Sequence, residues 1–199
     1  GAALWTRDFR DETPRYFVSP IHNSMVLAWP VKSAAAAEMI KQRPELQEGL
    51  KSLNDTDRDL LVQILDPATG VVKSHFLLET GQGSFGVQGI TVAGDYLVVD
   101  DDENRQLIYS VSKGTLIRRI FGSKGTFSDK NGLIAVENTE GRISVINIAT
   151  GREIGQIVLK KGIATMTFSP DGKRLFLLTR DQIAYILDAS KLANLPQAN

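Results

Sequence analysis

The residues best suited to chemistry lie in one acidic run, Asp100-Asp101-Asp102-Glu103-Asn104. Carboxylates beside an amide oxygen are hard ligands of the kind that hold Ca²⁺. The run lacks the glycine and closing glutamate of an EF-hand loop, so that motif is excluded. Two readings stand. Either Asp101, Glu103 and Asn104 form a binding cluster, or the run is a solvated hairpin. In a hairpin, alternation sends neighbouring side chains to opposite faces.

The other chemical groups are sparse. His22 and His75 have no ligand-type neighbours in sequence, which excludes a zinc site built on them. The chain has no cysteine, so disulfides, thiolate metal sites and cysteine nucleophiles are ruled out, and oxidising and reducing compartments suit it equally. No Gly-x-Ser-x-Gly elbow occurs. Gly81-Gln82-Gly83-Ser84-Phe85-Gly86 opens no helix and lacks the Lys-Ser/Thr that completes a phosphate loop, so it is read as a linker. No catalytic residue, metal site or cofactor is assigned.

The elements that must position these residues repeat. An apolar strand, a small polar turn and a second apolar strand recur four times. The turns are Asp66-Pro67-Ala68-Thr69-Gly70, Ser110-Val111-Ser112-Lys113-Gly114, Asn147-Ile148-Ala149-Thr150-Gly151 and Asp188-Ala189-Ser190-Lys191. Their first residues are 44, 37 and 41 positions apart. A period near forty with several short strands per unit predicts an all-β fold, a β-propeller with about four recognisable blades of four antiparallel strands.

The second blade is read at residues 89–93, 96–99, 106–109 and 115–121. The third is read at 132–136, 142–147 and 153–159, and the last at 164–168, 174–178 and 182–187. The last blade has no fourth strand in the tail from 193 onward. Residues 3–9 are expected to supply it, since a blade left with three strands exposes unpaired backbone groups.

The first blade, with pairs at 15–19/25–29 and 60–65/71–78, is interrupted by a helical insertion at 33–57. Ser33 can cap a first helix and Pro44 can open a second. Leu46, Leu50 and Leu53 make an apolar stripe on that second helix. The stripe either packs on the blade or forms a docking face, in which case Leu46 and Leu50 are binding residues. Trp5, Trp29 and Phe85 are expected to fill the space between blades. Arg118-Arg119 and Lys160-Lys161 are read as charges guarding outer strands.

Lys plus Arg equals Asp plus Glu at 23 each, a balance that gives no support for nucleic-acid binding. It also offers little colloidal repulsion, which leaves self-association open. No apolar run approaches the length of a membrane span. The start at Gly1, without Met or a signal-like stretch, is expected of an excised domain or a processed protein. The whole chain, 1–199, is read as one domain.

The stretch Ile143-Ser144-Val145-Ile146-Asn147-Ile148-Ala149-Thr150-Gly151-Arg152-Glu153-Ile154, followed by Phe168-Ser169-Pro170-Asp171-Gly172-Lys173-Arg174-Leu175-Phe176, resembles YVTN-type and WD40-like propeller blades. Residues 97–109, ending at Ile120-Phe121-Gly122-Ser123-Lys124-Gly125, resemble an NHL repeat. The resemblance covers roughly residues 85–190. It implies a non-catalytic binding or scaffold module with a protein partner. The alternative it implies is a calcium-dependent lactonase-like hydrolase with its site at the propeller channel. Asn131, Glu137 and Asn138 would then join the acidic run.

Overall fold

The computed structural model describes residues 3–9, 12–19, 23–53, 59–78, 87–101 and 103–192. Asp102, His22 and the 81–86 segment, Phe85 included, lie outside the described residues, as does the tail from 193. The elements in chain order are β1 (Arg15–Ser19), β2 (Ser24–Pro30), α1 (Ala34–Lys41), α2 (Pro44–Ser52), β3 (Leu60–Leu65), β4 (Val72–Leu78), β5 (Val87–Ala93), β6 (Tyr96–Asp101), β7 (Arg105–Ser110) and β8 (Thr115–Phe121). They continue with β9 (Ser123–Ser128), β10 (Leu133–Thr139), β11 (Arg142–Asn147), β12 (Glu153–Val158), β13 (Ile163–Phe168), β14 (Arg174–Thr179), β15 (Ala184–Asp188) and α3 (Ala189–Leu192).

The strands form four sheets in meander order: β1-β2-β3-β4, β5-β6-β7-β8, β9-β10-β11-β12 and β13-β14-β15. This is an all-β fold of the propeller type. The third sheet gains an inner strand, β9, that the sequence reading leaves out. Its residues, Ser123-Lys124-Gly125-Thr126-Phe127-Ser128, carry almost no apolar alternation. The chain divides into two compact units, 1–99 with 109–116, and 100–108 with 117–199.

In the first unit the helices lie on one face of the first sheet. Register puts Trp29 opposite Leu61 and Leu61 opposite Leu77, and Leu27 opposite Gln63. Leu27, Trp29, Leu61 and Leu65 form one core with Val31, Ala36, Ile40 and Leu46. The Ser33 hydroxyl accepts the Ala36 N–H at 3.1 Å and so caps α1. Pro44 stands at the start of α2, where a missing N–H costs no helix bond.

Residues 3–9 form no strand, which corrects the expectation that they complete the last blade. Instead they lie against the first sheet. The Trp5 indole N–H donates to the Pro67 carbonyl at 2.8 Å, and the Phe9 ring tilts against Trp29 at 6.0 Å. Both aromatic rings are half-buried there, which removes apolar area from water.

The second unit holds its core between the last two sheets. Ile143, Val145 and Ile157 meet Met166, Phe168, Leu175 and Leu177, and α3 adds Leu192. The repeated turns share one set of bonds. In each of the first three the glycine N–H returns to the first residue's carbonyl, at 2.8 Å for Gly70 and Gly114 and 2.7 Å for Gly151. The first side chain also accepts an N–H of its own turn, from Ala68 to Asp66 and from Thr150 to Asn147. Asp188 does the same toward Ser190, but there the chain turns into α3. Lys160 and Lys161 lie beyond the end of β12, in the connection to β13, so they are not outer-strand charges as read from sequence. Arg118 on β8 reaches the carbonyls of Ile148 and Ala149 at 3.1 Å each and ties that strand to the next turn.

Candidate functional site

The acidic run falls at the connection between β6 and β7, and Asp101 and Glu103 turn onto the hairpin itself. Asp101 is 2% exposed. One of its oxygens accepts the N–H of Glu103 at 3.0 Å and of Arg105 at 2.7 Å, and the other receives the Arg105 Nε–H at 2.6 Å. Arg105 also meets Glu103 at 3.1 Å. Asn104 sits at φ 57 at the tip, a conformation that asparagine tolerates better than most residues. Asp100 points elsewhere. Its carboxylate receives the buried Gln106 amide at 2.6 Å, and burial pushes its pKa up. Asp101 and Glu103 come together on Arg105, Asp100 does not join them, and Asn104 uses its backbone carbonyl to accept the Gly122 N–H at 2.8 Å.

Asn131, Glu137 and Asn138 are likewise occupied. Asn131 donates to the Gly172 carbonyl at 2.5 Å, and Asn138 donates to the Ser144 hydroxyl at 2.9 Å. Glu137 pairs with Lys124 at 2.7 Å. Among the described residues no three His, Cys, Asp or Glu side chains cluster closely enough to hold a metal ion.

The leucine stripe faces inward. Leu46 is 4% exposed within the first-unit core, and Leu50 and Leu53 pack against it. Leu46 and Leu50 therefore attach α2 to the sheet, and the docking-face reading of these side chains is corrected. Their burial removes apolar area from water, which holds a short helix that is marginal alone. At the start of the same helix, His75 on β4 lies 3.0 Å from Arg43 and 3.1 Å from Glu45.

The insertion builds a different concavity. A cleft of about 610 Å³ opens between α1 and the N-terminal segment. Its apolar lining is Phe9, Trp29, Ala34, Ala35 and Met39, and its charged lining is Arg7, Asp8, Glu12 and Glu38. Glu12 fixes one wall. Its two oxygens accept the N–H groups of Ala34 at 3.0 Å and Ala35 at 2.7 Å, at the N-terminal end of α1. Those bonds hold its carboxyl below the usual carboxylate range. Arg7 stands over the Phe9 ring at 5.5 Å. The Trp29 indole nitrogen is buried and has no hydrogen-bond partner among the described residues. The sequence carries little sign of this cleft. Glu12 is 22 residues from the helix end it caps, and no local pattern connects the two.

No protein-family model matches the chain, and no curated protein matches it. Its fold does match solved structures. A chain in the crystal structure of the mitotic checkpoint complex superposes with a TM-score of 0.52 at 15% identity, over 96% of this chain and 56% of that one. BamB from Moraxella catarrhalis superposes with a TM-score of 0.47 at 16% identity, over 68% of this chain and 46% of that one. The chain thus spans about half the length of these structures. The likeness to the first, at 15% identity, concerns the fold alone, and the fold is that of a β-propeller.

Proposed function

We propose that the chain is a non-catalytic binding module that docks a protein partner, and that the cleft beside α1 is the docking surface. The observation that carries this reading is the cleft's lining. An apolar floor of Phe9, Trp29 and Met39 is rimmed by Asp8, Glu12 and Glu38, with one cation, Arg7. An apolar centre inside a polar rim is the anatomy of an interface. Three carboxylates against one guanidinium suit a partner segment that carries an apolar anchor beside a lysine or arginine. Propellers host many activities, so the function rests on this site and not on the fold.

The test is selection of displayed peptides on the intact chain. The expected result is enrichment of sequences that join a large apolar residue to a basic one and compete with each other for one site. Failure to enrich, or enrichment of acidic peptides, would overturn the reading.

A further inference from the structure

The edge of the last sheet carries the sequence of an interior strand. By the repeated turns, β15 is the counterpart of β3 and β11, each of which is paired on both sides. Leu60–Leu65 is buried throughout, and Ile143, Ser144 and Val145 in β11 are fully covered. In Ala184–Asp188 the same position alternates between exposed and half-buried residues, and Ile186 is 63% exposed. Among the described residues no strand lies beyond it.

This edge is also unguarded. The outermost strands of the other sheets carry cations or irregularities that discourage pairing. β4 has Lys73 and a register shift against β3, β8 has Arg118 and Arg119, and β12 has a register shift against β11. β15 pairs with β14 in unbroken register and contains no lysine, arginine or proline. Its one charge, Asp188, is its last residue.

Backbone alternation fixes which groups are free to pair. The Ala189 N–H bonds the Lys173 carbonyl at 2.8 Å, and the Thr179 N–H bonds the Ile183 carbonyl at 3.0 Å. Residues 183 and 189 therefore face β14, together with Tyr185 and Leu187, and Ala184, Ile186 and Asp188 turn their backbone groups outward. A two-fold axis at Ile186 matches this pattern with itself. Ile186 meets Ile186, Ala184 meets Asp188, and every outward N–H finds a carbonyl. On the core-side face Tyr185 then lies opposite Leu187, an aromatic–aliphatic cross-strand pair.

We propose that β15 is a self-association edge, where a second copy of the chain adds its own β15 antiparallel and makes one continuous sheet across a two-fold axis. The balanced net charge leaves little repulsion between copies.

The test is sedimentation equilibrium of the full chain from low to high micromolar concentration. The wild type is expected to shift from 21.8 kDa toward twice that mass as concentration rises. Ile186→Pro removes one outward N–H without touching a bond to β14, and Ile186→Lys adds a charge at the axis. Both are expected to stay monomeric with unchanged circular dichroism. Val158→Lys, at an exposed position on β12, is expected to dimerise like the wild type. A wild type that remains monomeric throughout would overturn the proposal and leave the edge to a strand of another protein. So would a dimer that survives both Ile186 variants.

Discussion

Lys124 and Glu137 form an ion pair at 2.7 Å in which the carboxylate is 6% exposed and serves two strands at once. One Glu137 oxygen takes the lysine, and the other accepts the N–H of Gly141 at 2.9 Å and of Ile163 at 2.8 Å. Lys124 in turn donates to the Ile163 carbonyl. The start of β13 is thereby stitched to β9 and β10. Removing the carboxylate strands a lysine and two amides. Glu137→Ala is expected to lower unfolding free energy by about 3 kcal/mol, and Glu137→Gln by less, because the amide oxygen still accepts. Urea denaturation of the variants measures both.

The same group gives a pH dependence. Burial pushes the Glu137 pKa up, but the Lys124 bond and the Gly141 and Ile163 amides outweigh it and hold the pKa below the usual carboxylate range. A folded pKa below the unfolded value contributes stability that is present above about pH 4.3, and it is lost as pH falls through the folded value. The stability gap between wild type and Glu137→Gln should therefore be constant near neutrality and close on acidification. A gap that widens below pH 4 would contradict this assignment.

The Asp101 clasp predicts a contrast within one hairpin. Asp101→Ala removes the acceptor of two backbone amides and of the Arg105 Nε–H, at a cost of about 2–3 kcal/mol. Glu103 is half exposed, and Glu103→Ala should change stability by no more than about 0.5 kcal/mol. Comparable losses from the two would show that the clasp is not centred on Asp101.

Much of the fold is written locally, and that part was legible. The turn residues at Asp66, Asn147 and Asp188 bond backbone amides of their own turns, so their spacing announces the repeat. The helix caps at Ser33 and Pro44 act within a few residues in the same way. Contacts that join distant segments left no such trace. The Trp5–Pro67 bond, the Glu12 cap on α1 and the Glu137–Ile163 bond span 62, 23 and 26 residues. The acidic run was visible as a cluster, but Arg105 and two backbone amides are what occupy Asp101. The leucine stripe announced an apolar face without saying what would cover it.

Two glycines separate backbone strain from collision. Gly122, between β8 and β9, has φ 144, and an added Cβ would lie 2.8 Å from Val136 side-chain carbons. Gly132 has φ 61 with nothing within 4 Å of such a Cβ. Gly132→Ala should cost about 1 kcal/mol from backbone conformation alone. Gly122→Ala should cost about 2–3 kcal/mol, since the packing must also shift. Thermal unfolding of the pair gives the comparison.

Calcium separates the binding reading from the hydrolase alternative. A selective ligand of the native state raises apparent stability. With Asp101 engaged by Arg105 and Glu137 by Lys124, millimolar Ca²⁺ should leave the melting temperature where EDTA leaves it. A rise with Ca²⁺ that EDTA abolishes would favour a metal site and call for assays on lactones.

The most direct test of the central claim is the affinity of a peptide selected on the wild-type chain, measured again on Glu38→Arg. Glu38 is exposed on α1 and lines the cleft, so its reversal alters the rim and not the core. The expected result is a loss of at least about tenfold, or 1.4 kcal/mol, with the melting temperature unchanged. Equal affinity for the two proteins would mean that the peptide binds elsewhere and that the cleft beside α1 is not the docking surface.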